Sequence, residues 1–427
     1  MGLVRNVVRQ VRRDPEHIAL ADSAGRSVSY AHLAVAVGIG AGLLRDAGIR
    51  PGDRVLMCLP NGFDFVQAYY SVLAARAIVV PVSPRLPAGD IERVLHDCQP
   101  SAAIATPGVV VPRPMICLTP ADLACDGAGD EGGAEQAAVR ARGAMKLLEA
   151  AAARAEDGPA VILYTSGTTG KQKGAMLAEE ALSANAEAMG EVSASRPEDV
   201  HLCTLPLYHS FGATVSMNMP IATGGRIVFG GQFIPAGVAK VIRRSRATVW
   251  AGVPAMFAAM AERTDVDRGD LESLRMCISG GAALSGRVFR AFNERFGIEI
   301  AEGYGLTEAS PVVTATRAGG RVVAGAVGPP IPGAHVRIVN ESGEEVAQGQ
   351  AGEVCVSGPG VMLGYYGNPC DTSRVLGDGW LHTGDIGLID EHGYLRILDR
   401  QTDVINTSGY KVYPAEVEET IRQHPAV

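Results

Sequence analysis

An alternation of two patterns constrains this chain most. Between residues 28 and 110, stretches with helical apolar spacing alternate with short apolar runs. Tyr30 to Ala47 reads as helix, Arg54 to Leu59 as strand, Gly62 to Ala75 as helix, Ala77 to Val82 as strand and Pro87 to Asp97 as helix, before the run Ala102 to Ala105. Short runs with no polar face are strands covered on both sides, and strands separated by helices pair in parallel. The alternation returns between 200 and 300, with apolar runs at Arg226 to Phe229, Thr248 to Ala251 and Met276 to Ser279. The predicted fold is α/β, with a large N-terminal domain of two doubly wound sheets.

From Ala324 the rhythm changes to short β-rich segments broken by Gly and Pro, among them His335 to Val339 and Gly352 to Val356. They predict a small β-rich subdomain over about 324–398, within a large domain spanning 1–399. Asp126 to Gly133 reads as a flexible linker, and the Ala/Arg/Glu run after it as a solvated helix. The N-terminal stretch from Met1 to Arg13 has helical apolar spacing but no signal-peptide core, so it is expected to pack on the domain as a first helix.

Composition narrows the function. No apolar run approaches the roughly 18 residues of a membrane span, which points to a cytoplasmic protein. A net charge of −8 with no basic stripe argues against nucleic acid as a partner. The eight cysteines, at 58, 98, 117, 125, 203, 277, 355 and 370, form no Cys-x-x-Cys and have no companion histidine spacing. They read as small buried hydrophobes in a reducing compartment, with no sign of a structural zinc site.

The chemistry begins at Tyr164 to Gly174, Tyr-Thr-Ser-Gly-Thr-Thr-Gly-Lys-Gln-Lys-Gly. It follows the apolar run from Ala160 to Leu163 and precedes Ala175 to Gly190, which reads as helix. Gly167, Gly170 and Gly174 let backbone N–H groups turn toward an anion. Thr165, Ser166, Thr168 and Thr169 add hydroxyls, and Lys171 and Lys173 add positive charge. This is the composition of a polyphosphate cradle, without the spacing of a Walker loop. A second segment, Gly303-Tyr304-Gly305-Leu306-Thr307-Glu308, follows the strand-like run from Ile298 to Ala301. An aromatic beside two glycines can lie against a purine, a threonine can donate to phosphate, and a glutamate can hold Mg²⁺. Small residues in Ser279 to Leu284, including Gly281, Ala282 and Ala283, permit close approach of a ligand to the backbone.

Together these segments resemble the adenylate-forming superfamily: acyl-CoA synthetases, aryl-CoA ligases, luciferases and peptide-synthetase adenylation domains. The resemblance runs from about Ser29 to Val427 and departs at Gln172, where the family usually has proline. It implies Tyr304 as the adenine stack, Thr307 as the α-phosphate donor and Glu308 as the metal ligand. Gly281 to Ala283 become the loop under adenine and acyl group, with Asp385 in Trp380 to Gly387 as the ribose ligand and Arg400 near ribose and phosphate. The segment Leu205 to Gly212 lacks the aspartate of amino-acid-activating members and carries His209, which the resemblance places beside the substrate carboxylate. Gly409 is implied in the path of the CoA pantetheine, and Thr402 stands where the family's hinge usually has Asp or Lys.

The reaction implied is ATP-dependent ligation of a carboxylic acid to CoA through an acyl-adenylate, with ATP, Mg²⁺ and coenzyme A bound. His209, Thr307, Glu308 and Lys173 are the expected catalytic side chains. Small residues around Gly280 and Gly303 favour a bulky or long apolar acid. The alternatives are an acyl-AMP ligase that loads a carrier protein and a non-catalytic acyl-adenylate-binding protein. Residues 400–427 are expected to form the hinge and the start of a truncated C-terminal domain, because the family's C-terminal lysine motif does not occur before Val427.

Overall fold

Two mainly parallel sheets carry the chain. The computed structural model describes residues 2–106, 116–123, 133–153, 158–166, 172–323, 325–403, 405–407, 410–412 and 414–422. One sheet has eight strands in the spatial order Val312–Ala315, Ile300–Gly305, Met276–Ser279, Val249–Gly252, Val200–Cys203, Arg226–Phe229, Ile18–Asp22 and Ser27–Ser29. Its six inner strands are parallel and its two edge strands antiparallel. Val200–Cys203, Val249–Gly252 and Met276–Ser279 are buried at every residue, as strands covered on both faces are, His201 and Ser279 being the polar residues among them.

The second sheet has seven strands, in the order Gly364–Tyr365, Gln172–Ala178, Pro159–Ser166, Ile78–Pro81, Arg54–Cys58, Ala102–Ala105 and Ile116–Leu118. The helix Phe63–Ala74 joins the two: it packs on the Ile78–Pro81 strand, while Phe63 meets Phe229 of the eight-stranded sheet with ring centroids 5.7 Å apart. Such a helix has apolar residues all round, and Phe65, Val66, Tyr69, Tyr70 and Val72 are all buried. The first helix, Leu3–Arg13, buries Leu3, Val4, Val7 and Val8, so it packs on the domain as expected. A third, five-stranded antiparallel sheet from His335–Val339, Gly352–Ser357, Leu376–Gly377, Trp380–Ile389 and Leu395–Arg400 forms the β-rich part.

Three local expectations change. The chain after the glycine loop is a strand, Gln172–Ala178, paired antiparallel with Pro159–Ser166, and the helix starts only at Glu179. The loop therefore caps a hairpin rather than joining strand to helix. The strand Ile300–Gly305 runs through Gly303 and Tyr304, which pair with Ala315 and Thr314, so these residues stand on a strand end and not in a loop. The helix Gly133–Ala152 is not simply solvated, because it packs on Tyr30–Asp46 and buries Ala144 and Leu148. The linker Asp126 to Gly133 falls almost wholly outside the described residues.

Candidate active site

Open α/β sheets bind ligands beyond the carboxyl ends of their strands. Here Val249–Gly252, Met276–Ser279 and Ile300–Gly305 end beside a cavity of about 370 Å³, lined by Leu205, His209, Phe211, Val253, Gly280 and Thr307 among others. Among the described residues, no Asp, Glu, Lys or Arg lines it. A Cβ on Gly280 would lie 3.0 Å from the Phe211 ring, and one on Gly305 would lie 1.8 Å from the Pro311 carbonyl oxygen. Any side chain at Gly305 would separate the two strands that form this wall.

One polar chain runs along the rim. The Tyr304 hydroxyl donates to Asp385 Oδ2 at 2.6 Å, and Arg400 Nε lies 3.1 Å from Asp385 Oδ1. Asp385 is 6% exposed, and its backbone N–H donates to Thr383 Oγ1 at 3.1 Å. Burial pushes its carboxyl above the usual carboxylate range, although Tyr304 and Arg400 pull the other way. Burial and the Asp385 charge likewise push the Tyr304 phenol up, so it stays a donor.

A second chain ties the hairpin to the metal-ligand candidate. Lys173 Nζ pairs with Asp371 Oδ2 at 2.9 Å and lies 5.2 Å from the centre of the Tyr365 ring. The Tyr365 hydroxyl donates to Glu308 Oε1 at 2.8 Å. Thr307 Oγ1 meets Ser210 Oγ at 3.1 Å. His209 is exposed on the cavity wall, yet the protein around the cavity still holds its imidazole below the ordinary histidine pKa by desolvation.

The structure thus brings Gly281, Gly303, Tyr304, Gly305, Thr307 and His209 to one cavity, with Asp385 and Arg400 joined to it through Tyr304. Thr165 and Lys173 are register partners at the hairpin end, and Ala282 and Ala283 are exposed after Gly281. Gly167, Thr168, Thr169, Gly170, Lys171 and Gly409 lie outside the described residues, as does the side chain of Ser166. Sequence reasoning missed Tyr365, Asp371 and Ser210, whose places are set by tertiary packing that no local pattern encodes.

Two mainly parallel sheets, with Tyr304 on the end of a strand of one and Asp385 and Arg400 reaching it from the antiparallel sheet, make the frame of a nucleotide-binding site. Residues 7–366 match the AMP-binding enzyme family. The chain belongs to that family, in its acyl-CoA synthetase branch. It is 34% identical to the long-chain-fatty-acid–CoA ligase of Bacillus subtilis over 91% of this chain and 74% of that protein. Identity to the feruloyl-CoA synthase of an Amycolatopsis species is 33%, over 100% of this chain and 84% of that one. Among solved structures, ATP-bound MatB from Rhodopseudomonas palustris superposes with a TM-score of 0.85 at 29% identity, covering 100% of this chain and 84% of that one.

Proposed function

We propose that this protein activates a bulky apolar monocarboxylic acid with ATP and passes the acyl group to CoA. The observation that carries the acid class is the cavity itself: about 370 Å³, walled by Met189, Leu205, Phe211, Val253 and Ile278, with no charged side chain among the described residues that line it. A second carboxylate or an α-ammonium would be buried there without a partner, at a cost of several kcal/mol. The volume is at the small end of ligand pockets, of about 300–1,000 Å³, and suits an aryl or medium-length acyl group.

In the adenylation step a carboxylate oxygen forms a bond to the α-phosphorus and the bond to the β-phosphate oxygen breaks, so pyrophosphate leaves with the electron pair. Asp385 accepts from ribose hydroxyls, Thr307 and Lys173 face the phosphates, and neutral His209 hydrogen-bonds the acid. Their contribution is placement and preorganised charge. In the second step the CoA sulfur attacks the acyl carbon, AMP leaves and the thiol proton passes to solvent.

Glu308 fits a hard divalent cation, because it is a half-buried carboxylate fixed through one oxygen by Tyr365. Mg²⁺ held there would neutralise charge on the departing pyrophosphate. The proposed division of the chain is a large domain over 1–399, followed at 400–427 by the hinge and the start of a C-terminal domain.

The test is acid-dependent pyrophosphate release across acetate, malonate, medium-chain acids and cinnamate-type acids, followed by thioester formation with CoA. Turnover should rise steeply from acetate to the apolar acids. Equal rates with malonate would remove the apolar assignment. His209→Ala should alter acid use and leave ATP affinity unchanged.

A further inference from the structure

Behind the Asp385 turn, three side chains converge that no step above uses. Glu353 and Cys355 stand two residues apart on the strand Gly352–Ser357, and strand pairing sets Cys355 opposite His382 on Trp380–Ile389. His382 Nδ1 lies 3.0 Å from Glu353 Oε2 and 3.4 Å from Cys355 Sγ, and the three ligand atoms lie within 4.8 Å of one another. Nδ1 carries at most one proton, so it cannot donate to both neighbours. If it donates to Glu353, its contact with the sulfur is not its own hydrogen bond. If it accepts from the thiol, it faces the carboxylate without a proton between them.

A single cation would bond all three atoms at once. Four tetrahedral arms of about 2.0–2.3 Å place ligands about 3.3–3.8 Å apart, a range that holds the 3.4 Å nitrogen–sulfur separation and lies just above the 3.0 Å nitrogen–oxygen one. One sulfur, one imidazole nitrogen and one carboxylate oxygen make a zinc-type donor set; Mg²⁺ and Ca²⁺ prefer oxygen alone. We propose that Glu353, Cys355 and His382 form a site for a thiophilic divalent cation of the Zn²⁺ class, with solvent as the fourth ligand.

Binding replaces the thiol proton. The S–H bond breaks, the proton leaves to solvent and the sulfur–metal bond forms. Burial, with the Glu353 charge, pushes the free thiol up to about 11, while Arg337 beside it pulls down, so the thiolate forms only with the metal. Thiolate and carboxylate then balance the dication, with His382 neutral. The other Glu353 oxygen, Oε1, accepts the Gly384 N–H at 3.1 Å and is not needed by the metal. Occupancy therefore clamps the turn that presents Asp385. The twenty-seven-residue separation of Cys355 and His382 hides the cluster from sequence spacing, which argued against a zinc site.

The experiment titrates chelator-treated full chain with Zn²⁺ and Co²⁺, without nucleotide, on the native protein, Cys355→Ser, His382→Gln and a Cys117→Ser/Cys370→Ser double variant lacking two exposed cysteines. The native and double variant should bind one ion per chain, show a single-thiolate charge-transfer band with Co²⁺, and slow amide exchange at Gly384. Cys355→Ser should lose the band, and either site variant should weaken binding by about 100-fold or more. A band that survives Cys355→Ser, or no stoichiometric binding by the native protein, overturns the site. Binding that leaves Gly384 exchange unchanged overturns the clamp.

Discussion

Asp199 and Asp385 are both almost fully buried, at 5% and 6% exposure, and both meet an arginine, yet on balance only one of them is shifted upward. Asp199 precedes the strand Val200–Cys203, at the end of the eight-stranded sheet away from the cavity. It accepts from Arg275 at 2.8 and 2.5 Å, from Thr248 Oγ1 at 2.7 Å and from the Arg196 N–H at 2.8 Å. Burial raises its carboxyl pKa, but these bonds outweigh it and hold the group at about 2. Among the described residues, Asp385 has only the Tyr304 hydroxyl and one Arg400 nitrogen from side chains, and the Arg400 side chain is 53% exposed. A carboxylate offers about four acceptor sites. A filled set holds the fold together, whereas a part-filled one leaves capacity for the hydroxyls of a ligand.

The largest expected effect separates the two. Asp199→Asn should lower the unfolding free energy by about 3 kcal/mol, because it removes the buried charge that Arg275 holds through two nitrogens. Asp385→Asn should cost about 1 kcal/mol or less, since Arg400 turns to water. Urea unfolding measures both, and equal losses would break the comparison. Next in size, Glu308→Gln should slow adenylate formation on the order of 100-fold while binding of preformed acyl-adenylate, which has lost pyrophosphate, changes little. Equal losses on the two ligands would take Glu308 out of the metal role.

The pH dependence sharpens the contrast. The folded pKa of Asp199, about 2, lies below its ordinary 3.8, so its stabilisation is present above 3.8 and is lost as pH falls through about 2. That stabilisation is about 2 kcal/mol and should vanish from the acid limb of Asp199→Asn in unfolding titrations. Asp385 is shifted the opposite way. Burial disfavours its charged form, so as pH falls nucleotide binding should fail at a higher pH than an unshifted carboxyl would give. Smaller still, Tyr304→Phe removes one hydrogen bond from Asp385 and should weaken adenylate binding by about 1 kcal/mol, read by calorimetry. Unchanged binding would show that Tyr304 does not orient the carboxylate.

Much of this was legible because buried parallel strands announce themselves. Ala102–Ala105, Arg226–Phe229 and Met276–Ser279 fall where their apolar runs predict. The hairpin strand Gln172–Ala178 was not legible, because Ala, Met and Leu are good helix formers and only pairing with Pro159–Ser166 makes them extended. The motif around Tyr304 could be read from residue types, but its bond to Asp385 spans two sheets. Lys173 reads as a phosphate ligand, and its ion pair with Asp371 depends on where the helix Pro369–Val375 docks.

The central claim is that Asp385 keeps its spare acceptor capacity for ribose. Calorimetric titration of ATP and 2′,3′-dideoxy-ATP into the native protein and Asp385→Asn tests it most directly. The native protein should prefer ATP by about 10- to 100-fold, the worth of one or two hydrogen bonds to a charged group. Asp385→Asn should bind the two nucleotides alike. A preference for ATP that survives intact in Asp385→Asn would contradict the account.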